Sequence, residues 1–264
     1  LPHKNLLPDV NLTPYSIWLA TVVVSGISYL SYLLKRYVFH ESGTLVSGII
    51  GGLYSSTATI SVLARKSRKA SEQEATDYVA AMLLAISMMF LRFMILILIF
   101  SREIFLSIYP YLLTMAVVAA IVAWFIHSRQ KRSNDQPVEA EEDDSSNPLE
   151  FKVALIFAVL FVVFTFLTHY TLVYAGTGGL NLLSFVSGFS DITPFILNLL
   201  QNTGSVAALI ITACSMQAII SNIMVNMFYA LFFAGKGSKL RPWILGGFGV
   251  VIACNLVLLL FFYI

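Results

Sequence analysis

The most constraining feature of this chain is an apolar stretch, residues 43–65, that is polar and flexible at its centre. Two adjacent glycines lie at the midpoint and a group of hydroxyl side chains follows them: Gly51, Gly52, Ser55, Ser56, Thr57 and Thr59. Polar backbone in hydrocarbon costs free energy unless it is hydrogen-bonded, so a helix crossing a bilayer is rarely broken at its middle. We therefore predict a broken helical hairpin that enters the membrane and turns back.

A second stretch, residues 179–200, repeats this design 136 positions later. Gly188 takes the place of Gly52, and Asp191 takes the place of Ser55. Around each stretch the same elements recur in the same order, namely a span, the broken stretch, a span, a short turn and a span. The chain is therefore predicted to hold two copies of one unit, residues 1–126 and 151–264.

Composition assigns these spans to a membrane. The chain is 58% hydrophobic and 11% charged, whereas about a quarter of the residues in a soluble domain are charged. A soluble fold is excluded on this ground, and nucleic-acid binding is excluded because no basic face or motif is present. Six spans are predicted, at residues 17–35, 79–100, 107–126, 153–173, 206–233 and 243–263.

The placement of Lys and Arg predicts the topology. If both broken stretches return to the side they enter from, thirteen of the sixteen basic residues lie on one face and two on the other, with Arg92 inside the membrane. The positive-inside rule makes the first face cytoplasmic, together with a linker at residues 127–150. A seven-span arrangement gives twelve to three, so this count leaves it open.

Three spans in each half is an odd number, so the second copy is predicted to be inverted relative to the first. The expected fold class is an all-α polytopic membrane protein of two inverted repeats. Each repeat has three transmembrane helices and one re-entrant or broken helical hairpin. The two hairpin tips are expected to meet near the middle of the bilayer.

Asp191 is the leading candidate for a binding residue. A carboxylate inside an apolar segment is costly and needs a partner, a proton or an ion, so Asp191 is also the one candidate metal ligand. Thr193 beside it offers a hydroxyl oxygen. The alternative is that Asp191 and Thr193 cap a short helix, with Pro194 in its first turn.

The remaining candidates surround this residue. The hydroxyls Ser55, Ser56, Thr57 and Thr59 either coordinate a cation or let helices pack closely. Arg92 is predicted to be the counter-charge of Asp191, with snorkelling to the interface as the alternative. Asn222 and Asn226 share one helix face and are either carbonyl ligands or interhelical hydrogen bonds. The predicted hinge and break positions are Gly51, Gly52, Gly188 and Pro194.

Several segments carry a resemblance to a known family: LPDVNLTPYSIW, SGISYLSYLL, GIIGGLYSSTATISVLAR, NPLEFKVALIFA, SGFSDITPF and SNIMVN. They resemble the uncharacterised membrane domain found fused behind MgtC/SapB domains, over essentially the whole chain, with GGLYSSTAT as the most specific part. The resemblance implies a cytoplasmic-membrane protein of a bacterium or archaeon, a longer parent chain with an MgtC/SapB-type domain, and a link to metal homeostasis. Where this family carries a second acidic residue, the chain has Thr193, which argues against a divalent site built from two carboxylates.

We expect a transporter or channel for a small ion, and a cation in the first place, with its site between the two broken helices. One alternative is a transporter of an anion or small organic solute, because helix N-termini and Arg92 favour negative charge. The other is a non-transporting scaffold or regulatory subunit. No enzyme activity and no cofactor are expected, since no nucleophile and base are paired. The expected partners are the ion or solute and the lipid bilayer, and a homo-oligomer is left open.

Overall fold

The structure is a computed structural model, and it describes residues 5, 10, 12–38, 43–68, 70, 72–129, 151–201, 206–235 and 238–263. Its elements are eight α-helices and one π-helical turn that continues α1 over Leu34–Val38. The α-helices are α1 Pro14–Leu33, α2 Thr44–Lys66, α3 Glu72–Phe100, α4 Arg102–Ser128, α5 Phe151–Ser187, α6 Ile192–Gln201, α7 Ala208–Ala234 and α8 Arg241–Tyr263.

Seven of these helices are long and apolar enough to cross a membrane, and α6 is the short apolar exception. The predicted all-α, multi-pass membrane class is confirmed. α3 and α7 are the two most buried of the seven. Large apolar side chains are exposed on the outer helices, such as Trp124 on α4, Val173 on α5 and Leu260 on α8. Lipid is the natural solvent for this surface.

α2 is sharply bent. Its helical backbone is interrupted at Ser55, where φ is −159° and ψ is 110°. The side chain of Thr59 lies against Gly51, so close that a Cβ added to Gly51 would be 2.8 Å from Thr59 Cγ2. In a straight helix these positions would be about 12 Å apart along the axis. The two arms of α2, residues 44–54 and 56–66, therefore fold back on each other at Ser55.

The first arm of α2 packs closely on α3 through glycines. A Cβ added to Gly48 would lie 2.9 Å from Ala81 Cα, and one added to Gly52 would lie 2.5 Å from Ala85 Cα. Real Cβ atoms do not approach backbone atoms this closely, so the first arm can contact α3 here only because glycine has no side chain. The residue numbers rise together from the first pair to the second, so the first arm of α2 and α3 run in the same direction.

Both ends of α2 lie at the N-terminal end of α3. At its start, the Thr44 side chain is hydrogen-bonded to Tyr78. At its end, Lys66 is separated from Glu72, the first residue of α3, by only a short loop. α2 is thus a helical hairpin with its base at this end and its tip at Ser55.

A second hairpin is formed by the end of α5 together with α6. α5 is bent at Gly176, where φ is 59°, a left-handed value that suits glycine. The chain leaves the helix after Ser187 and becomes helical again at Ile192. The first arm of this hairpin, residues 177–187, contacts α7: Cys214 Sγ donates to Asn181 Oδ1 (3.4 Å).

The two hairpins contact their following long helices in the same register. Gly52 faces Ala85, and 136 positions later Gly188 faces Ser221. Gly48 faces Ala81, and in the equivalent pair the Ser184 hydroxyl is hydrogen-bonded to Gln217 Oε1 at 2.7 Å. The pairs are as follows: 48 with 81, 52 with 85, 184 with 217 and 188 with 221. The contact pairs of the two hairpins are thus separated by the same offset of 136 positions.

α3 and α7 run in opposite directions. Arg68, which lies just before α3, donates hydrogen bonds to the carbonyl oxygens of Phe232 (3.2 Å) and Phe233 at the C-terminal end of α7. In the C-terminal half of α3 and near the middle of α7, Arg92 and Asn222 line one cavity. The bases of the two hairpins therefore lie at opposite ends of the helix bundle, and their tips point towards each other.

Two boundaries differ from the sequence-based expectation. The backbone break in the first stretch is at Ser55, not at Gly51 or Gly52, because those glycines serve close packing inside a helical arm. α5 joins the predicted span 153–173 to the first arm of the second hairpin, because Gly176 bends the helix without ending it. Most of the predicted linker 127–150, from residue 130 onward, lies outside the described residues.

Candidate binding site between the two hairpin tips

A cavity of about 510 Å³ lies where the two hairpin tips meet. The first tip contributes residues 54–58 and the second contributes residues 189–193. α1, α3, α5 and α7 complete its wall with Val24, Ser25, Ser28, Met89, Arg92, Phe93, Ile156, Phe157, Leu160, Asn222, Val225 and Tyr229. A volume of roughly 300–1,000 Å³ is typical of sites for small solutes.

Arg92 joins the two tips. Its Nη1 donates a hydrogen bond to the carbonyl oxygen of Tyr54 (2.8 Å), and its Nη2 donates to Thr193 Oγ1 (3.3 Å). Only 9% of the residue is exposed, so Arg92 points inward and does not snorkel. Its Nε has no hydrogen-bond partner within the described part of the chain. The site therefore contains a buried cation with unused donor capacity.

Asp191 lies in the cavity wall on the second tip and is exposed to the cavity. Its Oδ1 accepts a hydrogen bond from the backbone N–H of Thr193 at 2.9 Å, which makes it the N-cap of α6. It influences the Arg92 guanidinium electrostatically, but the two side chains form no salt bridge with each other. The capping role that the sequence left open is thus present, and the other carboxylate oxygen remains available to the cavity.

The first tip is built on the same plan with a neutral cap. Ser55 Oγ accepts a hydrogen bond from the backbone N–H of Ala58 (3.3 Å) at the start of the second arm. The hydroxyl-bearing residues Ser55, Ser56 and Thr57 all line the cavity. Both tips therefore present the N-terminus of a helical arm to the same space.

The two asparagines support the second tip. The Asn222 amide donates to the carbonyl oxygen of Gly188 (3.2 Å), and the Asn226 amide donates to Asn222 Oδ1 (3.0 Å). Asn222 lines the cavity, whereas Asn226 is fully buried behind it. In this structure Asn222 bonds the backbone of the tip, and Asn226, one turn further along α7, holds the Asn222 side chain.

Most of the predicted site residues converge on this cavity, but some do not. Thr59 is not in the cavity wall and packs between the two arms of α2 against Gly51. Gly188 packs against Ser221, and Pro194 lies in the first turn of α6. The sequence reasoning missed five polar residues of the wall: Ser25, Ser28, Tyr54, Ser190 and Tyr229. Ser25 and Ser28 are spaced i, i+3 in a mainly apolar span, and this spacing was a usable signal.

The cavity extends from the tips towards one end of the bundle. Its wall on α7 begins at Asn222, near the middle of the helix, and continues to Tyr229 in the C-terminal half. On α5 it uses only residues 156–160, close to the start of that helix. The cavity thus lies on the side of the tips where the base of the α2 hairpin and Arg68 are found.

The chemistry of this cavity suits a charged or strongly polar small molecule. It combines one guanidinium, one carboxylate and several hydroxyls with two helix N-termini. Within the described residues no group of three His, Cys, Asp or Glu side chains is positioned to hold a metal ion. Among the residues that line the cavity, Asp191 is the one carboxylate.

Comparison with known proteins gives a family for this chain and no activity. The family described as "Domain of unknown function (DUF4010)" matches residues 22–234. A protein of Aquifex aeolicus (strain VF5), described as an uncharacterized protein, is 25% identical over 224 residues. That alignment covers 84% of this chain and 96% of the relative. No solved structure matches this chain.

Proposed function

This chain belongs to the DUF4010 family of membrane domains, and on that premise we propose that it is a secondary transporter for a small charged solute. The solute binds in the cavity between the two hairpin tips. The family description assigns no activity, so the proposal rests on the geometry of the site.

One observation carries this proposal: two hairpins with bases at opposite ends of the bundle bring their tips to the same polar cavity, at Arg92. Non-helical backbone is tolerated at membrane depth only where it is buried in protein or lines an aqueous cavity. Transporters with broken helices use this arrangement to place solute-binding groups near the bilayer midplane. A purely structural protein has no need for hydroxyls, a carboxylate and a guanidinium around one internal space.

The arrangement also supports the proposed inverted repeat. The two hairpins contact α3 and α7 in the same register, and α3 and α7 run in opposite directions. On this proposal α2 does not cross the membrane although its length would allow it, because both of its ends lie at one end of the bundle. Six spans and two re-entrant hairpins result.

Alternating access follows from the position of the cavity. The cavity extends from the tips along α5 and α7 mainly towards the end of the bundle that carries Arg65 and Arg68. On this proposal the positive-inside rule makes this end cytoplasmic, and the cavity belongs to an inward-facing state. Rocking one repeat against the other would open the tips to the outside, as the inverted relation of the halves allows.

The sign of the solute is a separate question. The cation predicted from the sequence depends on Asp191, whose free carboxylate oxygen and neighbouring hydroxyls supply oxygen ligands. The Arg92 guanidinium favours an anion in the same cavity. The transport assay tests both, because the gradient that gives a current identifies the charge of the solute and Asp191→Asn tests the carboxylate.

The test is transport by purified protein in liposomes. Currents on a solid-supported membrane are recorded under gradients of Na⁺, K⁺, Mg²⁺, sulfate, phosphate and acetate. We expect at least one gradient to give a current that Asp191→Asn lowers at least about tenfold, since it removes one charge from the site.

The control is Asp77→Asn, the same change at a carboxylate paired with His127 at 2.6 Å outside the cavity. This variant should transport normally. Folded wild-type protein that gives no current under any gradient would contradict the proposal and favour a scaffold role.

The proposed association with an MgtC/SapB-type domain in a longer parent chain is independent of this mechanism. Such a domain would be carried on the cytoplasmic membrane beside the transporter. It could regulate solute flux without altering the site.

A further inference from the structure

We propose that the cavity binds a small oxyanion between Arg92 and the N-terminus of the second arm of α2. This inference rests on the proposed binding cavity and names the class of its solute. A small oxyanion here means a carboxylate, sulfate or phosphate group that is part of a solute fitting the cavity of about 510 Å³.

The two tips differ in one respect that points to an anion. Each presents the N-terminus of a helical arm, where the unpaired backbone N–H groups and the helix dipole attract negative charge. At α6 that charge is built in, because the Asp191 carboxylate caps the helix. At the equivalent position of the first tip the cap is Ser55, which is neutral. The first tip thus lacks the negative charge that the second tip carries.

Arg92 supplies the second, independent observation. It is nine-tenths buried and lines the cavity, and its Nε has no hydrogen-bond partner in the part of the chain that the structure describes. A guanidinium buried without a paired carboxylate is costly unless its donors and charge are satisfied. Its hydrogen bond to Tyr54 places it beside the first tip. An anion at this tip would therefore satisfy both the guanidinium and the helix N-terminus.

The donor set favours an oxyanion over a halide. A guanidinium is planar and presents its N–H groups as a fork that matches two oxygens of a carboxylate, sulfate or phosphate. The hydroxyls of Ser56 and Thr57 and the backbone N–H groups of this helical turn add donors of the kind that bind oxyanions at helix N-termini. Chloride would use fewer of these donors.

Asp191 does not occupy this position. One of its oxygens is bound to the Thr193 N–H, at the N-terminus of α6. Its charge is thus directed at the second tip, and it remains available for the cation that the sequence predicted. An oxyanion at the first tip and a cation at the second could be carried together.

The test places a tethered carboxylate where the oxyanion is proposed to bind. In Ser55→Asp, the new side chain can cap the second arm of α2 as Asp191 caps α6. The matched control is Ser55→Asn, which is almost the same size, is also a favoured cap and has no charge. Thermal unfolding of purified protein in detergent is measured with sodium sulfate, phosphate or acetate, against sodium chloride at equal ionic strength.

For the wild type we expect at least one oxyanion salt to raise the unfolding temperature, because a ligand that binds only the folded state stabilises it. Ser55→Asn should retain this shift. Ser55→Asp should lose it, with apparent affinity at least about tenfold weaker than in Ser55→Asn, since two negative charges would lie within a few ångströms. Without ligand, Ser55→Asp should also be more stable than Ser55→Asn.

Two results would overturn the inference: no stabilisation of the wild type by any of the three oxyanions, or equal stabilisation of Ser55→Asp and Ser55→Asn. Neither result bears on transport itself. A cation current that is lost in Asp191→Asn, found together with either of these two results, would keep the proposed function and remove the oxyanion. Oxyanion binding by a protein that gives no current under any gradient would keep the oxyanion site and remove the proposed transport.

Discussion

At the scale of single residues, the glycines on the two hairpins have a structural role that can be tested directly. A Cβ at Gly52 would lie 2.5 Å from Ala85 Cα, and one at Gly188 would lie 2.8 Å from the backbone nitrogen of Asn222. We predict that Gly52→Ala and Gly188→Ala each destabilise the protein by about 1–3 kcal/mol through overpacking. Thermal unfolding in detergent measures this loss.

Gly246→Ala is the matched control for these substitutions. Gly246 lies within α8, and an added Cβ would meet nothing within 4 Å. Alanine should leave stability unchanged or raise it by up to about 1 kcal/mol, because it favours the helix. If all three variants unfolded at the wild-type temperature, the close packing of the hairpins on α3 and α7 would be wrong.

Residues of the candidate site could be predicted from the sequence where the type of side chain alone identifies them. Asp191 and Arg92 stand out as charges in apolar segments, and both line the cavity. Thr59 and Asn226 carry the right chemistry but face neighbouring helix surfaces, since side-chain direction depends on how an arm is rotated. The sequence does not contain that rotation, which is set by the glycine contacts with α3 and by the bonds to Gly188.

At the scale of elements, the fold-back of α2 is the feature most open to a direct test. We predict that Gly51→Cys combined with Thr59→Cys forms a disulfide on mild oxidation, in a background in which both native cysteines are replaced by alanine. The Cβ built on Gly51 lies 3.2 Å from Thr59 Cβ, close to the roughly 3.5–4.5 Å of disulfides. Mass spectrometry of the proteolysed protein detects the bond.

The control pair for this experiment is Gly51→Cys with Val62→Cys. Val62 is on the same arm as Thr59 but is 40% exposed, so its side chain points outward. No disulfide should form there. A straight α2 would separate Gly51 and Thr59 by about 12 Å, and failure of the first pair to oxidise would therefore contradict the hairpin.

The existence and order of the elements could be predicted from hydropathy and from the repeated glycines. The positions at which the helices break or bend could not be predicted as well. A break at Gly51 and Gly52 was expected because glycine weakens helices, yet the capping residue Ser55, three residues after Gly52, ends the first arm and begins the second. Glycine in an apolar helix marks either a bend or a close helix contact. Only the position of α3 decides between these two roles here.

At the scale of the whole molecule, the proposed function depends on three relations: contact pairs that recur at one offset, α3 and α7 in opposite directions, and one cavity between the tips. The first relation was visible in the sequence as a repeat at one offset. The opposite direction was inferred from the placement of basic residues, and the hydrogen bonds of Arg68 to Phe232 and Phe233 now support it through contacts. These bonds link residues 164 and 165 positions apart, and such long-range pairing is not readable from one sequence.

The central claim is that both hairpins are re-entrant and enter from opposite faces of the membrane. Single cysteines test it in membrane vesicles of known orientation, in a background lacking Cys214 and Cys254. The four substitutions stand at the ends of the two hairpins: Gly43→Cys, Lys66→Cys, Gly178→Cys and Ala207→Cys. A membrane-impermeant maleimide should label the first two from the cytoplasmic face only and the last two from the outer face only. Labelling of Gly43→Cys and Lys66→Cys from opposite faces would show that α2 crosses the membrane, and it would contradict the account.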